Sequence, residues 1–263
     1  MTQRHAARWT TTELQAVTPG SVRSIRECDV SVVFQPIIDL KRRRIFAHEA
    51  LARCRLPDFE SPAELFIRAE QEQACGRLGR IIRNVLFERC AQHPVFVNVH
   101  PQEVSQRWLV QPTDPLVLHD APVFIEVTEA AAFECFELSL DVLNELRSRC
   151  GARVVVDDFG AGHSDLSRVL ALKPDLVKLD ITLVRDIDRH PEQQAYVEHI
   201  IRVCHRLGAR FVAEGIERLE ELRCVMVAGA DLGQGFLLGR PVADALPSVH
   251  PPALPHFDAT SPA

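Results

Sequence analysis

Short apolar segments alternate with longer amphipathic segments along most of this chain. Residues 30–38 and 43–51 are rich in β-branched and other apolar side chains and are separated by only a few residues, which predicts two antiparallel strands. Further apolar runs follow, each separated from the next by a stretch with helical spacing. These runs are residues 94–99, 123–127, 153–158, 175–180 and 210–215.

The segments between the runs predict helices. Ser61-Pro62 is a typical helix start, with an N-cap serine and a proline in the first turn, and residues 61–92, 135–150 and 193–208 have helical periodicity. Strand–helix–strand units of about 30 residues are typical of parallel sheets with right-handed crossovers. Six or more units, with no glycine-rich phosphate loop after the first strand, favour a closed α/β barrel over an open sheet.

Polar residues lie at or near the ends of the predicted parallel strands. They are Asn98, Glu126, Asp157, Asp158, Lys178 and Glu214. Glu49 lies inside the second predicted strand and joins this set if that strand belongs to the barrel. The carboxyl ends of barrel strands open onto one face, which is where barrel enzymes carry their active sites.

Five carboxylates at one mouth would repel one another strongly. Two unit charges about 4 Å apart repel by roughly 4 kcal/mol at an effective dielectric constant near 20. The set therefore requires protonation or a cation, and with the amide oxygen of Asn98 its all-oxygen character suits Mg²⁺ or Mn²⁺ rather than zinc. An acidic residue at a strand end is, taken alone, more often a helix cap or a solvated loop residue, but six such polar positions in one chain favour a shared site.

The charge balance changes the list of candidate partners. The net charge is −6, which argues against duplex nucleic acid as the main partner. Of the 30 basic residues only Lys41, Lys173 and Lys178 are lysines. A lysine at the end of an apolar run is then a candidate for a role that needs a compact ammonium group.

The cysteine spacing and the hydropathy pattern indicate in which cellular compartment the protein is expected. The eight cysteines are widely spaced with no C-x-x-C pair, which predicts reduced structural thiols rather than a zinc or redox site. No apolar run is long enough for a membrane-spanning helix, and the N-terminal residues lack the apolar core of a signal peptide. These patterns predict a cytoplasmic protein.

The motifs resemble those of the EAL-domain proteins, the cyclic di-GMP phosphodiesterases of bacterial second-messenger signalling. In chain order the matching motifs are FQPI (34–37), Glu49-Ala50-Leu51 with Arg53, VNV with Asn98, Glu126-Val127-Thr128-Glu129, DDFGAGHSDL (157–166), KLD (178–180), AEGIE (213–217) and QGFLLGRP (234–241). The resemblance covers about residues 30–242. It implies a modified TIM (β/α)8 barrel whose first strand is antiparallel, and it implies a homodimer.

The resemblance also implies a metal centre. Glu49, Asn98, Glu126 and Asp157 match the ligands of a first Mg²⁺ or Mn²⁺ ion. Asp157 would bridge to a second ion, for which Asp158 is a further ligand. Hydrolysis of cyclic di-GMP to linear pGpG by a metal-activated water is the reaction that this match implies.

Other matched positions imply roles around that centre. Lys178 matches a residue that contacts the nucleophilic water and the phosphate, and Glu214 matches a general base or a ligand of the metal-bound water. Gln35, Arg53 and Gln234 match positions near the substrate or supporting the site. Glu129 matches the glutamate that anchors the loop of residues 157–166, called loop 6 below.

The sequence predicts three segments and leaves one functional alternative open. Residues 1–27 are expected to form a partly helical lead-in, residues 28–242 the phosphodiesterase domain, and residues 243–263 a Pro- and Ser-rich tail. Because the chain retains the matched ligands and the lysine, an enzyme is favoured. The alternative is a non-catalytic cyclic di-GMP receptor or a protein-interaction module on the same fold.

Overall fold

Eight strands close into a single barrel in the computed structural model of the protein. The structure describes residues 20–90, 92–105, 107–128, 136–160, 169 and 171–243. The strands follow one another around the barrel in chain order. Strand β1 is antiparallel to both of its neighbours, β2 and β8, and all other neighbouring strands are parallel.

The strands differ greatly in length. Their bounds are β1 Val30–Asp39, β2 Arg44–Cys54, β3 Val95–Asn98, β4 Val123–Thr128, β5 Arg153–Phe159, β6 Leu176–Leu179, β7 Arg210–Ala213 and β8 Leu232–Gly233. The two long strands form the hairpin predicted from residues 30–51. The six shorter strands stand between the connecting helices, as expected for parallel strands joined by crossovers.

The described α-helices lie in the segments that connect the strands. Their bounds are α1 Pro62–Gln71, α2 Cys75–Cys90, α3 Pro101–Ser105, α4 Pro115–Leu118, α5 Phe136–Cys150, α6 Ile181–Val184, α7 Pro191–Arg206 and α8 Leu219–Ala228. The predicted start of α1 is confirmed, because the side chain of Ser61 accepts a hydrogen bond from the backbone of Glu64 and Pro62 is the first helical residue.

Strand register sets which side chains meet at the carboxyl end of the barrel. Gln35 on β1 lies opposite Glu49 on β2, and Asn98 on β3 lies beside Glu126 on β4. Thr128, two residues after Glu126, is paired with Asp157 on β5. Acidic residues of three separate strands, Glu49, Glu126 and Asp157, are thereby brought to one rim.

Apolar side chains fill the opposite, amino-terminal part of the barrel interior. This inner cluster consists of Ile37, Ala47, Phe96, Phe124, Val155, Leu176, Val212 and Leu232. The rings of Phe96 and Phe124 stack with their centroids 4.4 Å apart. The barrel is therefore a packed core below the rim and not a pore.

The structure confirms the barrel and its antiparallel first strand. Strand β8, which has only two residues, and helix α8 were not predicted from the sequence. Residues 1–19 of the predicted lead-in and almost all of the C-terminal tail lie outside the described residues. Seven of the cysteines are described, and all seven are free thiols. Among the described residues, no helix combines the length and apolarity required to cross a bilayer.

We expect Leu176→Ala to lower the free energy of unfolding by about 2–5 kcal/mol, because it opens a cavity in the inner cluster. Leu176 is 1% exposed. The matched control is Leu118→Ala, at a side chain that is 71% exposed, and its effect should stay within about 0.5 kcal/mol. Urea unfolding followed by circular dichroism measures both. Equal losses in the two variants would contradict the assignment of the inner cluster.

Candidate active site

The ammonium group of Lys178 lies at the centre of the carboxylates at the rim. Its Nζ atom is 2.5 Å from Glu126 Oε1, 2.5 Å from Glu214 Oε1, 3.0 Å from Asp157 Oδ1 and 3.9 Å from Glu49 Oε1. Lys178 is 1% exposed. These contacts confirm that residues up to 165 positions apart in sequence meet at one site.

Two amide side chains hold Glu49 in this cluster. Asn98 Nδ2 donates to Glu49 Oε1 at 3.1 Å, and Gln234 Nε2 donates to Glu49 Oε2 at 2.5 Å. Gln234 Nε2 also lies 3.2 Å from Gln35 Oε1, and Gln35 in turn donates to the backbone carbonyl of Gly239. In this arrangement the amide nitrogen of Asn98 faces Glu49, and its amide oxygen is left as a potential cation ligand.

Asp157, Asp158 and Glu214 form a second grouping at the rim. One carboxylate oxygen from each lies within 4.8 Å of the others. The backbone of Asp158 is left-handed, with φ of 56°, and its N–H donates to Asp157 Oδ1 at 3.0 Å. This local turn lets two consecutive aspartates face the same site, although successive residues of a regular strand point to opposite faces.

Glycines allow the chain to turn beside two site residues. Gly215 follows Glu214 with φ of 66°, and Gly235 follows Gln234 with φ of 154°. A Cβ atom on Gly235 would lie 2.2 Å from the backbone oxygen of Ile216. These glycines were not assigned a role from the sequence, although each stands directly after a candidate site residue in one of the matching motifs.

Glu126 is a buried carboxylate whose hydrogen-bonding capacity is only partly satisfied by the described residues. It is 1% exposed, and among the described residues its Oε2 atom has no hydrogen-bond donor. Burial raises its pKa well above the ordinary value, Lys178 opposes that rise, and Glu49 and Asp157 add to it. A buried acceptor without a donor is costly, so this site favours an additional cation.

The net charge of the carboxylate cluster also favours an additional cation. Four carboxylates form ion pairs with Lys178, which is the one cation in such contact with them in the described part of the chain, and the exposed Asp158 adds a fifth carboxylate beside Asp157. Burial lowers the pKa of Lys178, but the surrounding carboxylates outweigh this and raise it well above the ordinary value. Burial and the neighbouring Asp157 raise the pKa of Asp158. The donor set and its excess negative charge fit hard divalent cations.

The remaining predicted site residues are only partly located. Arg53 lies on β2, is half-buried, and donates from Nη1 to the backbone oxygen of Ala52 at 2.8 Å. Glu129, predicted to anchor loop 6, lies outside the described residues, as does the part of that loop from residue 161 onward.

A family model for the EAL domain matches residues 21–241 of this sequence. The chain belongs to the EAL domain family. The match spans the whole barrel, from the turn before β1 to the residues after β8.

Individual relatives agree with this membership. The chain is 31% identical over 236 residues to the cyclic di-GMP phosphodiesterase PdeR of Escherichia coli, covering 84% of this chain and 35% of PdeR. It is 27% identical to the cyclic di-GMP phosphodiesterase RocR of Pseudomonas aeruginosa, covering 85% of this chain and 60% of RocR. The chain thus spans less than two thirds of either relative.

A solved structure of the family has the same fold. Klebsiella pneumoniae BlrP1, in a complex with calcium and cyclic di-GMP, superposes with a TM-score of 0.72 at 33% sequence identity. The match covers 82% of this chain and 57% of the BlrP1 chain. The EAL barrel expected from the motifs is therefore confirmed.

The pKa of Glu214 predicts how the metal-free protein responds to pH. Burial raises this pKa from 4.5 to about 8, although the ammonium of Lys178 opposes the rise. Between these two values the folded protein holds a proton that the unfolded chain has released. The free energy of unfolding therefore falls as the pH rises through this window.

As the pH rises from about 5.5 to about 8, we expect the free energy of unfolding of Glu214→Gln to fall less than that of the wild type, since glutamine does not titrate. Urea unfolding in the presence of a chelator measures the difference. Glu198→Gln, at an exposed position of α7, is the control and should keep the wild-type pH dependence. The hypothesis is wrong if Glu214→Gln follows the same curve as the wild type.

Proposed function

We propose that this protein is a divalent-metal-dependent phosphodiesterase that hydrolyses cyclic di-GMP to linear pGpG. The observation that carries the proposal is the cluster of five carboxylates and Asn98 at the rim of an EAL barrel, with Lys178 among them. PdeR and RocR bear the name of that activity, and BlrP1 binds cyclic di-GMP together with calcium.

Glu49, Asn98, Glu126 and Asp157 are the proposed ligands of the first divalent cation. Asp157 is also a proposed ligand of the second, together with Asp158. Bound Mg²⁺ or Mn²⁺ would supply Lewis-acid polarisation of a phosphoryl oxygen and would lower the pKa of a water molecule. The unpartnered oxygen of Glu126 and the close grouping of Asp157 and Asp158 support this assignment.

Lys178 and Glu214 are the proposed catalytic side chains beside these ligands. The buried ammonium of Lys178 would stabilise the negative charge that develops on the phosphoryl oxygens as the new P–O bond forms. Glu214 would accept a proton from the attacking water, and its carboxylate lies beside Lys178 and within 4.8 Å of carboxylate oxygens of Asp157 and Asp158. Glu49 contributes to catalysis through the cation that it would hold.

Gln35, Arg53 and Gln234 are the proposed substrate-side residues. Gln234 and Gln35 are hydrogen-bonded to each other, and Gln234 also fixes Glu49, so a single network joins this side of the rim to the proposed ligands. The guanidinium of Arg53 could pair with a phosphate of the substrate. Glu129 as the anchor of loop 6, and a homodimer, stay predictions.

We expect Glu49→Ala to lower the rate of pGpG formation at least about 100-fold with Mg²⁺ or Mn²⁺, because it removes a metal ligand. Chromatography of cyclic di-GMP and pGpG over time measures the rate. Glu198→Ala removes the same carboxylate from the exposed face of α7 and should keep the wild-type rate.

The same experiment distinguishes the alternative function. Tight binding of cyclic di-GMP by the wild type, with no pGpG formed after hours with Mn²⁺, would overturn the enzyme and support a receptor. Unchanged turnover in Glu49→Ala would overturn the assignment of the metal site.

A further inference from the structure

A second buried charge cluster lies beside the rim, outside the candidate active site. It consists of Arg83 on α2, Glu103 on α3 and Asp114 directly before α4, and each is 1% exposed. Arg83 donates from Nε and Nη2 to the two oxygens of Asp114, at 3.0 and 2.8 Å, and from Nη1 to Glu103 Oε2 at 2.6 Å. None of these residues belongs to the motifs on which the proposed function rests.

Glu103 connects this cluster to the turn that carries Asn98. Its Oε1 atom accepts a hydrogen bond from the backbone N–H of His100 at 3.3 Å, and its own N–H donates to the carbonyl of His100 at 2.9 Å. His100 is two residues beyond Asn98. On the other side, the N–H of Val99 donates to the carbonyl of Glu126. Glu103 is thus one of the groups that hold the backbone directly after Asn98.

Apolar packing also holds this turn, since Val99 is 5% exposed and belongs to the hydrophobic core. A cavity of about 260 Å³ lies between helices α1 and α2 and strands β2 and β3, and Asn98, His100 and Glu103 all line it. Beside this cavity, the hydrogen bonds of Glu103 to His100 and to Arg83 link the turn to helix α2.

Gly79 of α2 makes room for this contact. A Cβ atom on Gly79 would lie 2.1 Å from Glu103 Oε2, so any larger residue would displace the carboxylate. Glycine inside a helix costs up to about 1 kcal/mol relative to alanine. The close approach of Glu103 explains why a glycine stands in this helix.

We infer that Glu103, held by Arg83, is a positioning residue for Asn98 and thereby for the divalent cation at the rim. This inference rests on the proposed function. Residues that orient a metal ligand without touching the metal typically change metal affinity about 10- to 100-fold when they are removed. The expected effect of losing Glu103 is of that size.

The two acids of the cluster provide a matched pair of variants. Glu103→Ala leaves Arg83 paired with Asp114, and Asp114→Ala leaves it paired with Glu103, so each variant keeps one buried pair without an orphaned charge. Of the two acids, Glu103 is the one whose carboxylate accepts from the N–H of His100. Asp114 instead accepts from the backbone of Leu116 at the start of α4.

Mn²⁺ binding without substrate, measured by isothermal titration calorimetry, tests the inference independently of turnover. We expect Glu103→Ala to raise the Kd for Mn²⁺ at least about 10-fold. Asp114→Ala should leave it unchanged, even though both variants lower the melting temperature. Glu103→Gln keeps one acceptor oxygen where Glu103 uses two, for His100 and for Arg83, so its loss of affinity should be smaller than that of Glu103→Ala.

Gly79→Ala gives a second test that leaves Glu103 in the sequence. Alanine favours the helix, so the fold should survive, while the methyl group displaces the Glu103 carboxylate. We expect a loss of Mn²⁺ affinity similar to that of Glu103→Ala.

Three outcomes would overturn the inference. The first is an unchanged Kd in both Glu103→Ala and Gly79→Ala. The second is an equal loss of affinity in Asp114→Ala, which would mean that loosening the cluster acts on the whole structure. The third is the absence of Mn²⁺ binding by the wild type, which would overturn the proposed function as well. The first two leave the proposed function standing.

Discussion

Electrostatic repulsion among buried carboxylates is the constraint on which the rim of this barrel depends. Glu126 and Glu214 both approach the ammonium of Lys178, and Asp157 lies within 3.0 Å of it. One positive charge cannot balance the four carboxylates in contact with it, and burial weakens the screening that water would provide. The protein can hold this arrangement only with raised pKa values or with additional cations, and the all-oxygen donor set fits the second solution.

The packed barrel explains how the carboxylates at the rim stay close together although they repel one another. The inner cluster below the rim, with the stacked rings of Phe96 and Phe124, fills the interior. The strand register then fixes the height of each acidic residue, so that Asn98 and Glu126 are neighbours across β3 and β4. A packed interior resists deformation, which keeps like charges close even though they repel. The same rigidity holds the proposed ligands ready for a cation.

Much of the fold and site could be predicted because both depend on local patterns. Apolar runs followed by a polar residue mark the ends of parallel strands, and barrel geometry then places residues such as Glu126 and Asp157 on one rim. The two-residue strand β8 has no such pattern, since it is defined by its neighbours and not by its own composition. The position of the Lys178 ammonium within the cluster also depends on side-chain geometry that spacing does not determine.

The ion-pair partners of Arg83 could not be predicted from the sequence. Gly79, Ile82, Arg83 and Leu86 have the spacing of one helix face, so a charged residue on an otherwise apolar stripe could have indicated a buried ion pair. Its partners could not have been named, because Glu103 and Asp114 are 20 and 31 residues away and meet it only through the packing of three helices.

Anomalous diffraction from crystals grown with Mn²⁺ and cyclic di-GMP tests the central claim most directly. The account predicts Mn²⁺ peaks at the rim, at about 2.0–2.6 Å from oxygens of Glu49, Asn98, Glu126 and Asp157. It also predicts that the Lys178 ammonium moves out of the centre of the cluster. Crystals saturated with Mn²⁺ that show no peak there, with Lys178 still enclosed by the carboxylates, would contradict it.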